Sequence, residues 1–230
     1  MARIHSTNCA QTTGKDMEEL DILKKVEFVH SSPHAEKLLV QMARVSNPAN
    51  QANEETAPKL LQYLIRHKHW SPFEMTSMCV KITTTRDVSS QIIRHRTFSF
   101  QEFSQRYAPV PKAVVPSLRR QDRKNRQNST DDLNPYLQQE LQIKIQTHFE
   151  AGHALYQELL ESGVAKECAR KILPMNSPSV IYMNGTLRSW IHYFEVRCDP
   201  STQLEHREIA LEARDIFSVM FPVTATALNY

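Results

Sequence analysis

Apolar side chains fall along this chain in two rhythms. From Pro33 to Arg44 they recur at helical spacing, with Leu38, Leu39 and Met42 on one face and a proline near the start. Glu54 to His69 carries a second stripe, Leu60, Leu61, Leu64 and Ile65. Trp70-Ser71-Pro72 ends it, because the residue before a proline avoids the helical region. Asn47 to Asn53, between the two, is a polar connection. Over Met75 to Thr85 the rhythm shortens to two. Met78, Val80 and Ile82 alternate with Cys79, Lys81 and Thr83, which predicts a half-buried strand. Arg86 to about His95 predicts a short helix.

The longest helical pattern runs from Pro135 to Glu161, where Leu137, Leu141, Ile145, His148, Gly152, Leu155 and Leu159 step by three and four. Val164 to Ile172 predicts a short helix closed by Leu173-Pro174, and Ser177 to Met183 a strand. Leu187 to Val196 and Gln203 to Met220 are helices separated by Cys198-Asp199-Pro200. Pro109 to Pro135 is the least regular stretch, and a loop this long inside a domain is functional or disordered. The fold class is therefore α+β, a helix-rich single domain with a small central sheet. Residues 1–24 are expected to form a flexible polar leader, residues 25–222 the domain and residues 223–230 a C-terminal tail.

Composition narrows the picture. Hydrophobic content of 40% and charged content of 23% suit a soluble globular protein, and no apolar stretch is long enough to span a bilayer. The first twenty residues lack the apolar segment of a secretory signal. Cys9, Cys79, Cys168 and Cys198 are far apart and form no CxxC, which fits a reducing compartment, the cytoplasm, and no metal site. The net charge is only +3, but residues 81–126 carry eleven Lys or Arg against three Asp or Glu, a local balance of +8. Such a concentration raises the local level of anionic ligands. Only four glycines occur, so neither GxGxxG nor a P-loop can be written with them. A nucleotide would have to be held by side chains.

The basic region centres on Arg94-His95-Arg96-Thr97-Phe98-Ser99-Phe100-Gln101-Glu102-Phe103-Ser104-Gln105-Arg106-Tyr107. Three guanidinium forks, an imidazole, hydroxyls and amides accompany a single carboxylate. Arginine is charged at any working pH, and its fork matches two phosphate or carboxylate oxygens at once. Residue chemistry alone describes a site that orients an anion. Ser104 has no adjacent base, so it reads as a phosphate donor rather than a nucleophile.

The spacing says more. Arg-His-Arg, seven residues, then Ser resembles the signature of the flavin-dependent thymidylate synthases. Ala43-Arg44-Val45-Ser46, His69-Trp70-Ser71-Pro72-Phe73-Glu74, Gln121 to Ser129, Arg170-Lys171-Ile172-Leu173-Pro174 and Leu187 to Arg197 resemble further segments of that family, in order, over about residues 26–222. The resemblance implies synthesis of dTMP from dUMP. FAD would be the flavin, 5,10-methylenetetrahydrofolate the carbon donor and NADPH the reductant, in a homotetramer with sites shared between subunits. It implies flavin contacts from Ser71, Arg94, His95, Arg96, Glu102, Thr186, Arg188 and His192. It implies dUMP contacts from Gln91, Arg94, Glu102, Phe103, Ser104, Gln105, Arg106, Arg170 and Arg197. Arg197 matches the arginine that favours ionisation of the uracil N3. Thr186 and His192 stand where other members carry asparagine.

Several readings stay open. Residues 81–126, with Phe98, Phe100, Phe103 and Tyr107 interleaved, could form a nucleic-acid surface. His69 could be a structural histidine, and Arg119 to Arg126 only a solvated face. Cys198 adjoins Arg197, which favours a thiolate, yet a buried structural thiol is the better reading.

Overall fold

The computed structural model describes residues 25–51 and 53–230. The expected polar leader, residues 1–24, lies outside them. In chain order the elements are β1 (Val26–Ser31), α1 (Ala35–Ala43), α2 (Ala57–Arg66), β2 (Ser77–Thr85), α3 (Arg86–Ile92), β3 (Phe98–Glu102), β4 (Arg120–Gln121), β5 (Ser129–Thr130), α4 (Pro135–Glu161), α5 (Lys166–Ala169), β6 (Pro178–Thr186), α6 (Leu187–Arg197), α7 (Leu204–Met220) and α8 (Pro222–Leu228). Short 3-10 turns lie at Pro48–Asn50, Ser71–Glu74 and Arg170–Ile172.

A four-stranded antiparallel sheet, ordered β1-β2-β6-β3, organises the chain. The two central strands pair from Ser77↔Thr186 to Thr85↔Pro178 without a break. Met78, Val80, Ile82, Ile181 and Met183 are fully covered, and Trp190, Phe194, Ile209 and Phe217 of α6 and α7 belong to the same core with Leu39, Leu61 and Phe73. The Trp190 indole N–H donates to the Met78 carbonyl at 2.9 Å, so its one polar atom is satisfied inside that core. The alternation read over Met75 to Thr85 is this central strand.

The segment expected as a C-terminal tail, residues 223–230, is mostly helical. Residues 222–228 form α8, started by Pro222, and Val223, Ala227 and Leu228 pack against the core. Glu36 accepts from both the amide and the hydroxyl of Thr224, at 2.6 and 2.8 Å, which ties α8 to α1. β1 and β3 join the sheet where no strand was predicted, and the irregular stretch holds the β4–β5 hairpin.

α4 has the predicted bounds. Asn134 caps it, its side-chain oxygen accepting from the amides of Tyr136 and Leu137 at 3.0 and 3.2 Å. Its predicted apolar face is not buried within the chain, however: Tyr156 is its one buried residue, and Leu137 and Leu155 are exposed. Tyr156 anchors a second small core with Val110 and Ala169, its hydroxyl oxygen accepting from the Val110 amide at 3.1 Å.

Candidate active site

The Arg-His-Arg segment is the turn between α3 and β3. The start of α3 is tied to the chain before β6, Arg86 N–H donating to Ser177 at 2.8 Å and Asp87 N–H to Met175 at 3.0 Å. Its end unwinds through Arg94 and His95 amides bonded to Gln91 and Ile92 carbonyls, and the Phe98 amide then returns to the His95 carbonyl at 3.2 Å. Phe98 locks this turn onto the sheet. Its ring lies edge-on to Trp190 at 4.9 Å and directly over Gly185, where a Cβ would come within 2.4 Å of it. Glycine in a strand marks such a close approach. The turn is therefore fixed while the Arg94 and Arg96 side chains project outward, exposed and without a hydrogen-bond or ion-pair partner among the described residues.

His95 faces the other way. Arg197, the last residue of α6, donates from Nε to His95 Nε2 at 2.8 Å. Burial, with the Arg197 charge added, pushes the His95 imidazole down to about 4, so it is neutral at working pH and can accept. The remaining guanidinium N–H groups of Arg197 have no protein partner among the described residues. Cys198 next to it is pushed up, first by burial, with Arg214 lowering and Asp215 raising it further. It is a thiol, not a ready nucleophile.

Glu102, at the far end of β3, is engaged by the protein itself. Its Oε1 accepts from Ser89 at 2.6 Å and Ser179 at 3.1 Å, and its Oε2 pairs with Arg86 at 2.5 Å. It joins α3, β3 and β6 at one point. Beyond it, Phe103 N–H donates to Val180 at 2.8 Å, and a turn carries Ser104, Arg106 and Tyr107 to the edge of an open concavity of about 350 Å³ shared with Ala165, Lys166 and Glu167. Arg106 pairs there with Glu167 at 3.1 Å, both largely exposed. Phe103 packs on the second core, and Gln105 is half-buried. Arg170 follows directly after α5, its guanidinium unpaired among the described residues.

The remaining expected residues gather around the start of α6. Thr186 caps this helix, accepting from the Ser189 amide at 3.2 Å, and the Ser189 hydroxyl donates to the Thr97 carbonyl at 3.2 Å. Arg188 pairs with Glu74 in the Ser71–Glu74 turn, which brings Ser71 beside α6. His192 lies 5.0 Å from Trp70 and 3.2 Å from Glu195. Gln91 donates to Gln203 at 2.7 Å.

The expected site residues of one chain thus fall into two groups. Arg94, His95, Arg96 and Arg197 lie at the Phe98 end of β3, and Ser104, Arg106 and Arg170 beyond its Glu102 end. Five residues of strand place about 13 Å between those ends.

Residues 27–223 match a family model described as thymidylate synthase complementing protein. The flavin-dependent thymidylate synthase of Synechocystis sp. is 53% identical over 216 residues, covering 94% of this chain and 100% of that protein. The chain belongs to the flavin-dependent thymidylate synthase family. A probable flavin-dependent thymidylate synthase of Paramecium bursaria Chlorella virus 1 is 48% identical over 197 residues, 85% of this chain and 91% of that one. Among solved structures, the UMP/dUMP methylase PolB from Streptomyces cacaoi, bound with 5-Br dUMP, superimposes with a TM-score of 0.79 at 30% identity, covering 89% of this chain and 94% of that one.

Membership gives no support to the nucleic-acid reading of residues 81–126. Part of that region is also committed within the chain. Arg119 donates to Ser129 at 2.9 Å and pairs with Glu205 at 2.7 Å, which pins the base of the β4–β5 hairpin to α7. Arg44, in the family-like Ala43 to Ser46 segment, is buried and bonded to the carbonyls of Asn50 and Asn53 and to Thr56. It holds the chain between α1 and α2 together and faces no ligand with those atoms. Four residues near the site escaped the sequence reading: Arg86, Ser89 and Ser179 around Glu102, and His206 behind His95. The first three are polar residues inside predicted elements, and only the fold shows that they converge. His206 carried a signal, since it sits three and four residues before Ile209 and Ala210, on the helix face that Ala213 and Phe217 continue.

Proposed function

We propose that this chain converts dUMP to dTMP by reductive methylation, with FAD as its flavin, 5,10-methylenetetrahydrofolate as carbon donor and NADPH as reductant. The observation that carries the reading is the state of Arg197: seated by Nε on a neutral imidazole, with the rest of its fork uncommitted. An arginine half-withdrawn from water and lacking a carboxylate partner is costly to keep unless a ligand completes it.

Its chemistry follows from charge. Placed beside the uracil ring, the guanidinium lowers the pKa of N3, and the ionised ring carries more electron density toward the carbon to be alkylated. His95 cannot compete for that role, because its lone pair is occupied by Arg197. No enzyme nucleophile is needed, which agrees with a Cys198 thiol pushed up by burial. Ser104, Arg106 and Arg170 suit the nucleotide phosphate, two of them as bidentate forks and one as a hydroxyl donor. Binding there orients the base for the step at Arg197.

The residues present fit a flavin dinucleotide. Arg94 and Arg96 offer unpaired forks for its pyrophosphate in place of a glycine-rich loop, and Trp70 and His192, 5.0 Å apart, offer flat ring surface. The bound flavin would supply hydride transfer, and the chain supplies its orientation and the exclusion of water.

Assembly is part of the proposal. The phosphate half-site and the Arg197 half-site face different ends of β3, so a second copy bringing its own half-site completes each one. The uncovered apolar residues of α4, Leu137, Ile143 and Leu155, suit burial between copies, in keeping with a homotetramer. No helix among the described residues is long and apolar enough to cross a membrane, and a cytoplasmic location is part of the same reading.

The test is optical and chemical. Purified protein should be yellow or take up FAD, bleach with NADPH when dUMP is present, and form dTMP when the folate is added. A colourless protein that neither binds FAD nor oxidises NADPH would overturn the proposal.

A further inference from the structure

His206 is a buried titratable group that the mechanism above does not use. It lies on α7 with no exposed surface, its Nε2 3.0 Å from the hydroxyl of Tyr193, which is itself buried. Its Nδ1 is buried with no hydrogen-bond partner. A leucine or isoleucine would fill such a position without stranding a polar atom, so an imidazole here costs stability and calls for a reason.

The surroundings supply one. His95 stands edge-on to the Tyr193 ring at 4.9 Å and to the His206 ring at 6.3 Å. Arg197 then bonds the far nitrogen of His95 at 2.8 Å. From α7 to the turn after α3, the four side chains form one stack, and Arg197 is its only permanent charge. The groups facing His206 are Tyr193 on α6, Arg197 at the end of that helix and His95 on the turn. Arg197 and His95 both disfavour a charge on it, adding to burial. Tyr193 in turn faces Arg197 and Cys198.

We propose that His206 is a positioning residue for Arg197. Its bond to the Tyr193 hydroxyl fixes the ring against which His95 rests, and so fixes the nitrogen on which the Arg197 fork is seated. The inference rests on the reading of Arg197 as the group that activates dUMP.

The experiment compares His206→Phe, His206→Gln, Tyr193→Phe and Arg197→Lys as flavin-loaded full-length proteins. His206→Phe and Tyr193→Phe keep a ring but delete the bond. Each should bind FAD normally and hold KM for dUMP within about threefold, while kcat falls by about ten- to a hundredfold, the penalty of a displaced catalytic group. The acid limb of the kcat profile should move to higher pH, because a loosened stack admits water and eases protonation of His95. Tyr193→Phe with His206→Phe should lose no more than either alone, and His206→Gln, which can still donate to the Tyr193 oxygen, should recover part of the rate.

Full turnover with an unmoved pH profile in either folded single variant would overturn the proposal, as would losses that multiply in the double variant. If His206→Phe does not fold, Tyr193→Phe decides by the same readouts. Arg197→Lys separates the two levels: unchanged turnover there removes the underlying reading. A loss there with full turnover in His206→Phe and Tyr193→Phe removes only the positioning role.

Discussion

Arg197 Nε donates to His95 Nε2 at 2.8 Å, joining the last residue of α6 to the middle of the Arg-His-Arg turn. The bond exists only while His95 is neutral, since a protonated imidazole has no lone pair to offer. The fold enforces this by burial and by the Arg197 charge, which together bring His95 from its ordinary 6.5 to about 4. His206 behind it is brought to about 3, first by burial and then by Arg197 and His95.

These depressions make stability depend on acidity in a definite direction. Below pH 6.5 the unfolded chain binds protons at both imidazoles while the folded chain does not, so unfolding gains as pH falls. Stability linked to the pair is fully present above 6.5 and is lost progressively down to about 4 for His95 and about 3 for His206. Thermal melts from pH 7.5 to 4.5 should show a falling Tm, and His206→Phe should flatten the fall. A Tm that declines equally steeply in that variant would mean that other groups carry the dependence.

Arg106→Ala should act on the nucleotide and leave the fold alone. The Arg106–Glu167 pair is mostly exposed on both sides, so its loss costs little stability. If Arg106 holds the dUMP phosphate, the variant should raise KM for dUMP roughly tenfold or more, the worth of a charge-assisted fork. FAD affinity, read by absorbance titration, should be unchanged. Equal weakening of both ligands would reassign Arg106.

Glu102→Gln separates two roles for one residue. Family resemblance expects Glu102 to touch flavin and dUMP, while its oxygens are already held by Ser89, Ser179 and Arg86. Neutralising it leaves Arg86 without its partner and weakens two hydroxyl bonds, a loss of about 1–3 kcal/mol. A domain of this size then melts about 2–4 °C lower for each kcal/mol. The expected result is a clear drop in Tm with smaller changes in ligand affinity. An unchanged Tm with lost flavin binding would put the carboxylate on the ligand instead.

The sequence was informative where one face of an element decides its conformation. The central strand over Ser77–Thr85 and the helix Pro135–Glu161 were legible because Met78, Val80 and Ile82 alternate, and because Leu137, Leu141, Ile145, Leu155 and Leu159 keep helical spacing from Pro135 onward. β3 was hidden in plain view: Phe98 and Phe100 alternate with Ser99 and Gln101, but the same residues carry the motif, and chemistry masked the period of two. β1 was missed because it is an edge strand with a bulge between Phe28 and His30, and most of its residues are exposed. At the site, motif spacing named Arg94, His95, Arg96 and Ser104, and the family resemblance named Arg197, yet the bond between His95 and Arg197 spans 102 positions and needed the fold. The uncovered face of α4 was equally out of reach, because periodicity says that a face is apolar and not what covers it.

Gly185→Ala tests whether the Arg-His-Arg turn is held in place by the sheet. A Cβ on Gly185 would lie 2.4 and 2.5 Å from two carbons of the Phe98 ring. That ring cannot swing away freely, since Trp190 lies 4.9 Å from it, Tyr193 5.8 Å and His95 6.5 Å. Overpacking of this kind costs about 1–3 kcal/mol. It should also push the Phe98 backbone, whose amide bonds the His95 carbonyl, and so disturb the turn bearing Arg94 and Arg96. The variant is expected to melt several degrees lower and to bind FAD more weakly. Phe98→Leu in the same chain frees space above position 185, so the double variant should recover part of both losses, a coupling readable as a double-mutant cycle. If Gly185→Ala proves neutral in Tm and in flavin titration, Phe98 is not the lock on the turn.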